Sequence, residues 1–369
     1  ADARALVDLL GARADVVHDA AGDPRVGVVG ASYGGALAVM LGATDPRVDS
    51  VVGVVAWNDL AEAFFPQFAV VGPGAGEPTS VAVVDRAPEP GPFKALWASR
   101  FFGSALTGGS GASGGGPGGS GASGGGPDGA VCGRFDLVVC RLFLAAAESG
   151  RPSPELLTLL HAHSPRPLLP GLHAPTMLVQ GMADSLFGLE QADATARAIA
   201  GQVPRLSVRW IDGGHDGLSS TAEADEQALR DWLAATLVTS GPQSVTGAEF
   251  VYAAPIPRRR SVAPLLSSPD YPVTGAWTSV PLSPTAPAAS GGPETGQRIV
   301  NPPGGQPSSV TAIPSFGGLG VGAAAYQLAA LPGQSAAFDT PVFDARTTVV
   351  GSPRVTLTVT STGDESVLF

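Results

Sequence analysis

The residues able to do chemistry stand in three short contexts. Gly30-Ala31-Ser32-Tyr33-Gly34 fits G-x-S-x-G, in which a serine occupies a sharp turn between a strand and a helix. Such a turn lifts the hydroxyl above the sheet, and flanking glycines let strand and helix approach without a Cβ clash. The helix N-terminus also favours negative charge beside the serine. A hydroxyl needs a base to become a nucleophile, and a histidine base needs a carboxylate to fix its tautomer. Asp184, in Gly181-Met182-Ala183-Asp184-Ser185, and His215, in Gly213-Gly214-His215-Asp216-Gly217, supply both in the chain order Ser, Asp, His. The set predicts acyl transfer, with Ser32 as nucleophile, His215 as general base and Asp184 as its orienter. The backbone N–H of Tyr33, next to the nucleophile, is expected to donate to the oxyanion.

The other polar candidates read as structural. Asp212 and Asp216 flank the histidine without a strand end of their own and are expected as solvated turn residues. His161-x-His163 has no Cys or second His cluster with it, so a polar helix end is preferred to a metal site and no metal is expected. His18 and His173 are placed in loops, and Arg258-Arg259-Arg260 in a solvated one. Neither a Walker A motif nor G-x-G-x-x-G after a strand is present, so nucleotide binding by those means is excluded and no cofactor is expected.

The elements that must position these residues follow from hydrophobic pattern. Residues 25–31 (RVGVVGA) form a short Val-rich run that predicts a buried parallel strand, and residues 34–42 a helix ended by Asp45-Pro46. A second buried strand over 48–57 completes a right-handed βαβ unit. Residues 58–165 interrupt the alternation with aromatic, helix-like stretches at 60–68, 93–102, 135–149 and 154–163. A strand over 175–181, a helix over 189–200, a strand over 206–214 and a helix over 223–237 resume it. Ser32, Asp184 and His215 therefore each follow the carboxyl end of a predicted parallel strand, where open α/β sheets bind ligands. Ahead of them, residues 2–13 predict a helix with Ala5, Leu6, Leu9 and Leu10 on one face.

Two local features stand apart. The decapeptide GGSGASGGGP occurs at 108–117 and again at 118–127, a composition that predicts a flexible loop, with replication slippage preferred to a gate over a pocket. Cys132 and Cys140 would lie about 12 Å apart along a regular helix, too far for a bridge, but a bend would let them pair. Both readings stand.

Composition bounds the rest. With 369 residues, 44% of them apolar, the chain can bury a core and is long enough for two domains. Past Ser240 the residues turn to Pro, Ser, Thr and Val with short extended runs, Phe250–Ala253 and RVTLTVT at 354–360 among them. A boundary near 240 and an all-β sandwich over 241–369 are expected. A net charge of −11 repels phosphate backbones, so nucleic acid is not an expected partner. No run of about 18 uncharged apolar residues predicts a membrane span. Lys94 is the sole lysine among 21 basic residues, which suggests a high-GC bacterial source. Beginning at Ala1 and closing at Phe369, the chain reads as an interior fragment whose localisation signal lies outside it.

Taken together, DPRVGVVGASYGG (23–35), AWNDL (56–60), LVQGMADSLFGLEQA (178–192) and IDGGHDG (211–217) resemble the peptidase S15 or Xaa-Pro dipeptidyl-peptidase-like family, with its cocaine-esterase-type relatives. FDTPVFDARTTVVGSPRVTLTVTST (338–362) resembles that family's C-terminal jelly roll. The resemblance implies an α/β fold: a partial α/β-hydrolase fold over 1–240 with a helical cap inserted at about 58–165, followed by an all-β jelly-roll-like domain. It implies the roles already given to Ser32, Asp184 and His215, and a second oxyanion donor, typically a Tyr side chain, on a loop this chain lacks. The implied substrate is a peptide or ester small molecule, foremost an X-Pro amide. Glu62 would hold its ammonium, and Trp57, Phe64 and Phe65 would form an apolar slot. An acyl esterase, or a non-catalytic hydrolase-like module, is the alternative. PGPFKALWASRFFG (90–103) and CGRFDLVVCRLFLAAAESGRP (132–152) resemble actinobacterial proteins in which such a module precedes an ABC-transporter ATPase. The implied partners are thus a missing N-terminal half and a downstream ABC ATPase, and the implied location is secreted or membrane-associated. Only four sheet strands are expected, with raw edges that would make residues 1–369 alone aggregate or stay inactive.

Overall fold

The computed structural model describes residues 2–68, 90–106, 132, 135–215, 219–238, 248–254 and 261–273. It also describes 275, 278–284, 297–300, 333–336, 338–345, 347–355, 357, 359–360 and 362–363. The Gly/Ser duplication and Arg258–Arg260 lie outside the described residues. The chain divides into one unit over Ala1–Tyr271 and another over Pro272–Phe369.

In the first unit, α1 (Asp2–Gly11) leads to a short antiparallel ladder of β1 (His18–Ala20) and β2 (Asp23–Pro24). The Val-rich runs form β3 (Val26–Ala31) and β4 (Val48–Val54), joined by α2 (Tyr33–Thr44). After the inserted helices come β5 (Thr176–Gly181), α7 (Leu189–Ile199), β6 (Leu206–Ile211), α8 (Ala222–Leu233), β7 (Ala248–Ala253) and β8 (Leu265–Ser268). The sheet runs in the order β3-β4-β5-β6-β7-β8, parallel from β3 through β7, with β8 antiparallel at the far edge. Every residue of β5 is buried, as a central strand covered on both faces requires. Val52, Met177, Val179 and Trp232 form one core cluster, with Leu229 and Leu233 of α8 packed on it.

Three expectations change. Among the described residues the sheet has six strands rather than four, because Phe250–Ala253 and Leu265–Ser268 both belong to it and not to a sandwich. Phe250 is fully buried, its ring 4.8 Å from Trp210 and 5.1 Å from Tyr271. A four-residue apolar run reads the same whichever sheet it joins, so pattern alone could not assign it. For the same reason the division falls after Tyr271, not near 240. On α1, Val7 is the buried residue, while Leu6 and Leu9, on the face expected inside, are exposed.

Between β4 and β5 lie α3 (Leu60–Phe64), α4 (Ala95–Leu106), α5 (Leu137–Ser149), α6 (Pro154–Ala162) and a 3-10 turn, Arg166–Gly171. Asp59, Asp136 and Ser153 cap α3, α5 and α6, their side chains accepting from first-turn backbone N–H groups. Gly150 ends α5 in the left-handed region. These helices bury a core of their own, Phe65, Leu142, Ala146 and Leu156, with Phe64 and Phe93 against it. Cys132 and Cys140 form a disulfide, because Cys132 precedes the start of α5 and the chain bends back to a Cα separation of 5.6 Å.

In the second unit the described strands are β9 (Ser283–Pro284) and β10 (Phe338–Asp339), paired antiparallel. Val300 N–H also donates to Gly333 O at 2.7 Å. Among the described residues of 354–360 no strand is formed, so the jelly roll is not part of what they show.

Candidate active site

The turn from β3 to α2 holds Ser32 at φ 54° and ψ −117°. Its N–H donates to Val54 O at 2.8 Å, and its carbonyl accepts from Gly35 and Ala36 at 3.0 and 3.1 Å, which locks the turn against β4 and the helix start. A Cβ on Gly30 would lie 2.1 Å from Gly34 O, and one on Gly35 would lie 2.7 Å from Val54 O. Gly34 itself faces open space. The close approach thus depends on Gly30 and Gly35 rather than on the second motif glycine.

Ser32 Oγ lies 2.9 Å from His215 Nε2, and His215 Nδ1 lies 2.9 Å from Asp184 Oδ2. The three residues expected to act together do meet. The imidazole is 7% exposed and the carboxylate fully buried. Asp184 Oδ1 accepts from the N–H groups of Leu186 and Phe187 at 2.9 and 2.8 Å, and Oδ2 accepts from Gln180 Nε2 at 3.2 Å. Gln180 also donates to Phe187 O at 2.6 Å, so one buried amide ties β5 to both ends of the Asp184 turn. Met182 N–H to Ile211 O and Ala183 N–H to Gly213 O bind that turn to the loop bearing His215.

The histidine loop is fixed from its other side. Asp212 Oδ1 accepts from Ser219 Oγ at 2.7 Å and from Ser220 N–H at 2.9 Å, and Ser220 Oγ donates to Oδ2 at 2.5 Å. Asp212 is thus an anchor within the loop rather than a solvated residue, while Asp216 lies outside the described residues. The rings of Phe187 and Trp97 stand edge-on to His215, with centroids at 5.2 and 5.6 Å. Trp57 lies 5.1 Å from Phe187 and 6.1 Å from Tyr33. It is delivered by a turn in which Val55 takes φ 44°, an uncommon backbone for a β-branched residue.

The remaining candidates have other partners. Glu62 Oε1 accepts from Arg166 Nη1 at 2.8 Å, and Phe64 packs against the core of the inserted helices. His161 Nδ1 lies 2.7 Å from Asp59 Oδ2, and His163 Nδ1 lies 2.8 Å from Leu159 O. His18 Nε2 lies 3.1 Å from Gly11 O, and His173 is exposed. Among the described residues no three His, Cys, Asp or Glu side chains gather as metal ligands would. Sequence reasoning missed Gln180, Phe187 and Trp97. The spacing Q-G-x-x-D carried a signal for Gln180; no pattern marked Trp97, since its contact crosses more than a hundred residues.

No family model and no curated protein matches the chain. Solved structures similar to it include a 2,6-dihydroxy-pseudo-oxynicotine hydrolase, 19% identical, covering 64% of this chain and 46% of that one at a TM-score of 0.35. A CocE/NonD family hydrolase from Staphylococcus aureus is 10% identical over 77% of this chain and 39% of that one, with a TM-score of 0.40. An esterase of Pyrococcus furiosus is 10% identical over 58% and 54%, with a TM-score of 0.31. The chain spans about half or less of the length of these structures.

Proposed function

We propose that this chain carries the catalytic site of a serine hydrolase of the α/β-hydrolase fold, cleaving ester or amide bonds. One observation carries the reading: an unbroken relay from Ser32 Oγ through His215 to the buried Asp184, with both contacts at 2.9 Å. In this reading Ser32 Oγ attacks the carbonyl carbon as His215 Nε2 takes its proton. Asp184 keeps the remaining ring proton on Nδ1 and stabilises the imidazolium. The Tyr33 N–H donates to the oxyanion, the leaving group departs with the proton from Nε2, and water repeats the sequence on the acyl-enzyme. A fluorophosphonate should form one adduct on the full chain, at Ser32. Ser32→Ala should lose labelling and lower turnover on the order of 10⁶-fold. An adduct elsewhere, or none, sinks the reading.

The substrate is proposed within that class. The resemblance of the sequence motifs supports an X-Pro amide, with the apolar slot formed beside Trp57. The pairing of Glu62 with Arg166 speaks against Glu62 as the ammonium anchor and favours simple acyl esters. Comparing kcat/KM on an X-Pro amide and on a small acyl ester decides between them. Activity confined to the ester assigns an esterase. The β-sandwich nature of the C-terminal unit is proposed on the alternation of RVTLTVT alone.

A further inference from the structure

The chain's sole lysine sits beside the Asp184 turn. Lys94, just ahead of α4, extends Nζ to Leu186 O at 2.7 Å. Leu186 is fully buried, and its own N–H donates to Asp184 Oδ1. One helical turn further on, Trp97 Nε1 donates to Ser185 Oγ at 3.2 Å while its ring closes on His215. The start of α4 thus grips two successive residues of the turn that holds the carboxylate. Placing a lysine here is unfavourable in itself. Burial pushes its amine below the ordinary lysine value, against the attraction of Glu190 and Asp184. A methionine would fill much the same volume without a charge to desolvate; what the amine adds is a donor for a buried carbonyl, which left unpaired would be costly.

We infer that Lys94 is a positioning residue by which the inserted helices hold the Asp184–Phe187 turn, and through it the orientation of His215. This rests on the hydrolase reading above. Lys94 touches no reacting atom. Its effect passes through Leu186 to Asp184, with Trp97 as the second tie. The site is then assembled by the inserted helices as well as by the sheet.

Lys94→Met and Lys94→Arg in the full chain test this, through the rate of fluorophosphonate labelling at Ser32 and through kcat and KM on a small acyl ester. Lys94→Met should lower labelling and kcat together by about 10–10²-fold, as misplacement of an orienting group does. KM should stay within about threefold, because the loss falls on the transition state. Lys94→Arg keeps a donor for Leu186 O and should recover most of the loss. Labelling of Lys94→Met at the wild-type rate, a loss confined to KM, or equal damage by Arg and Met overturns the inference. Should Lys94→Met fail to fold, as read by thermal melting, Trp97→Phe keeps an aromatic side chain but removes the N–H. It should slow labelling, and a wild-type rate there overturns the inference equally. A wild-type chain that takes no adduct at Ser32 refutes the hydrolase reading itself. A labelled wild type with unchanged Lys94→Met refutes only the role of Lys94.

Discussion

Ser32 keeps a backbone conformation that persists only where its surroundings over-determine it, and the elbow shows how. Its N–H, its carbonyl and the absence of side chains at Gly30 and Gly35 all act within one turn. The motif predicted glycines on both sides of the serine; the space requirement falls on Gly30 and on Gly35, one residue past the motif. Gly30→Ala should therefore force β3 and α2 apart, costing about 1–3 kcal/mol and abolishing labelling of Ser32. Gly34→Ala, with open space around it, should keep labelling and stay within about 0.5 kcal/mol of wild type. Urea unfolding and adduct yield read both. Equal effects of the two substitutions would show that the elbow is not built this way.

The elements that deliver the site were legible where a short-range period marks them. Strands and helices from Val26 to Ile211 lie within a few residues of their predicted bounds, because apolar spacing and caps such as Asp136 and Ser153 act locally. Loops were less legible. Asp212 was expected in water, yet the structure surrounds it with Ser219 and Ser220. Burial pushes its carboxyl up, but the hydrogen bonds from Ser220 and Ser219 outweigh burial and hold it below its ordinary value. A lowered folded-state value contributes stability that is complete above the unfolded value of about 3.9 and lost as pH falls through the folded one. Asp212→Asn should thus be less stable than wild type at neutral pH, with the gap closing below about pH 4. Asp45, held below its ordinary value by the Arg47 guanidinium, should behave the same way in Asp45→Asn. Urea midpoints across pH give the test, and a gap that widens in acid would reverse the sign argued here.

At the scale of the molecule, the described residues place the nucleophile strand at an edge of the sheet. Among the described residues β3 pairs with β4 alone, and Val29 on it is 48% exposed. Leu6, Leu9 and Leu37 are also exposed, so an unpaired ladder lies in a unit with apolar surface. Such an edge templates pairing with other chains. The chain should self-associate at micromolar concentrations, and Val29→Lys should raise the monomer fraction in light scattering. A monodisperse wild-type monomer would remove the edge as a liability. The net charge of −11 acts against association but cannot satisfy unpaired backbone groups.

The amino-acid sequence by itself determined the alternation of strands and helices and the three residues expected to meet above them. It could do so because periodicity, capping and the strand-end position of Ser32, Asp184 and His215 are local properties. Only the tertiary structure decided that Phe250–Ala253 joins the parallel sheet, that Cys132 and Cys140 bridge, and that Glu62 turns to Arg166. It alone brought Trp97 and Lys94 to the Asp184 turn. Lys94 and Leu186 are 92 residues apart. A contact at that separation leaves no period in the sequence, because it depends on how the inserted helices pack against the sheet rather than on what stands next to either residue.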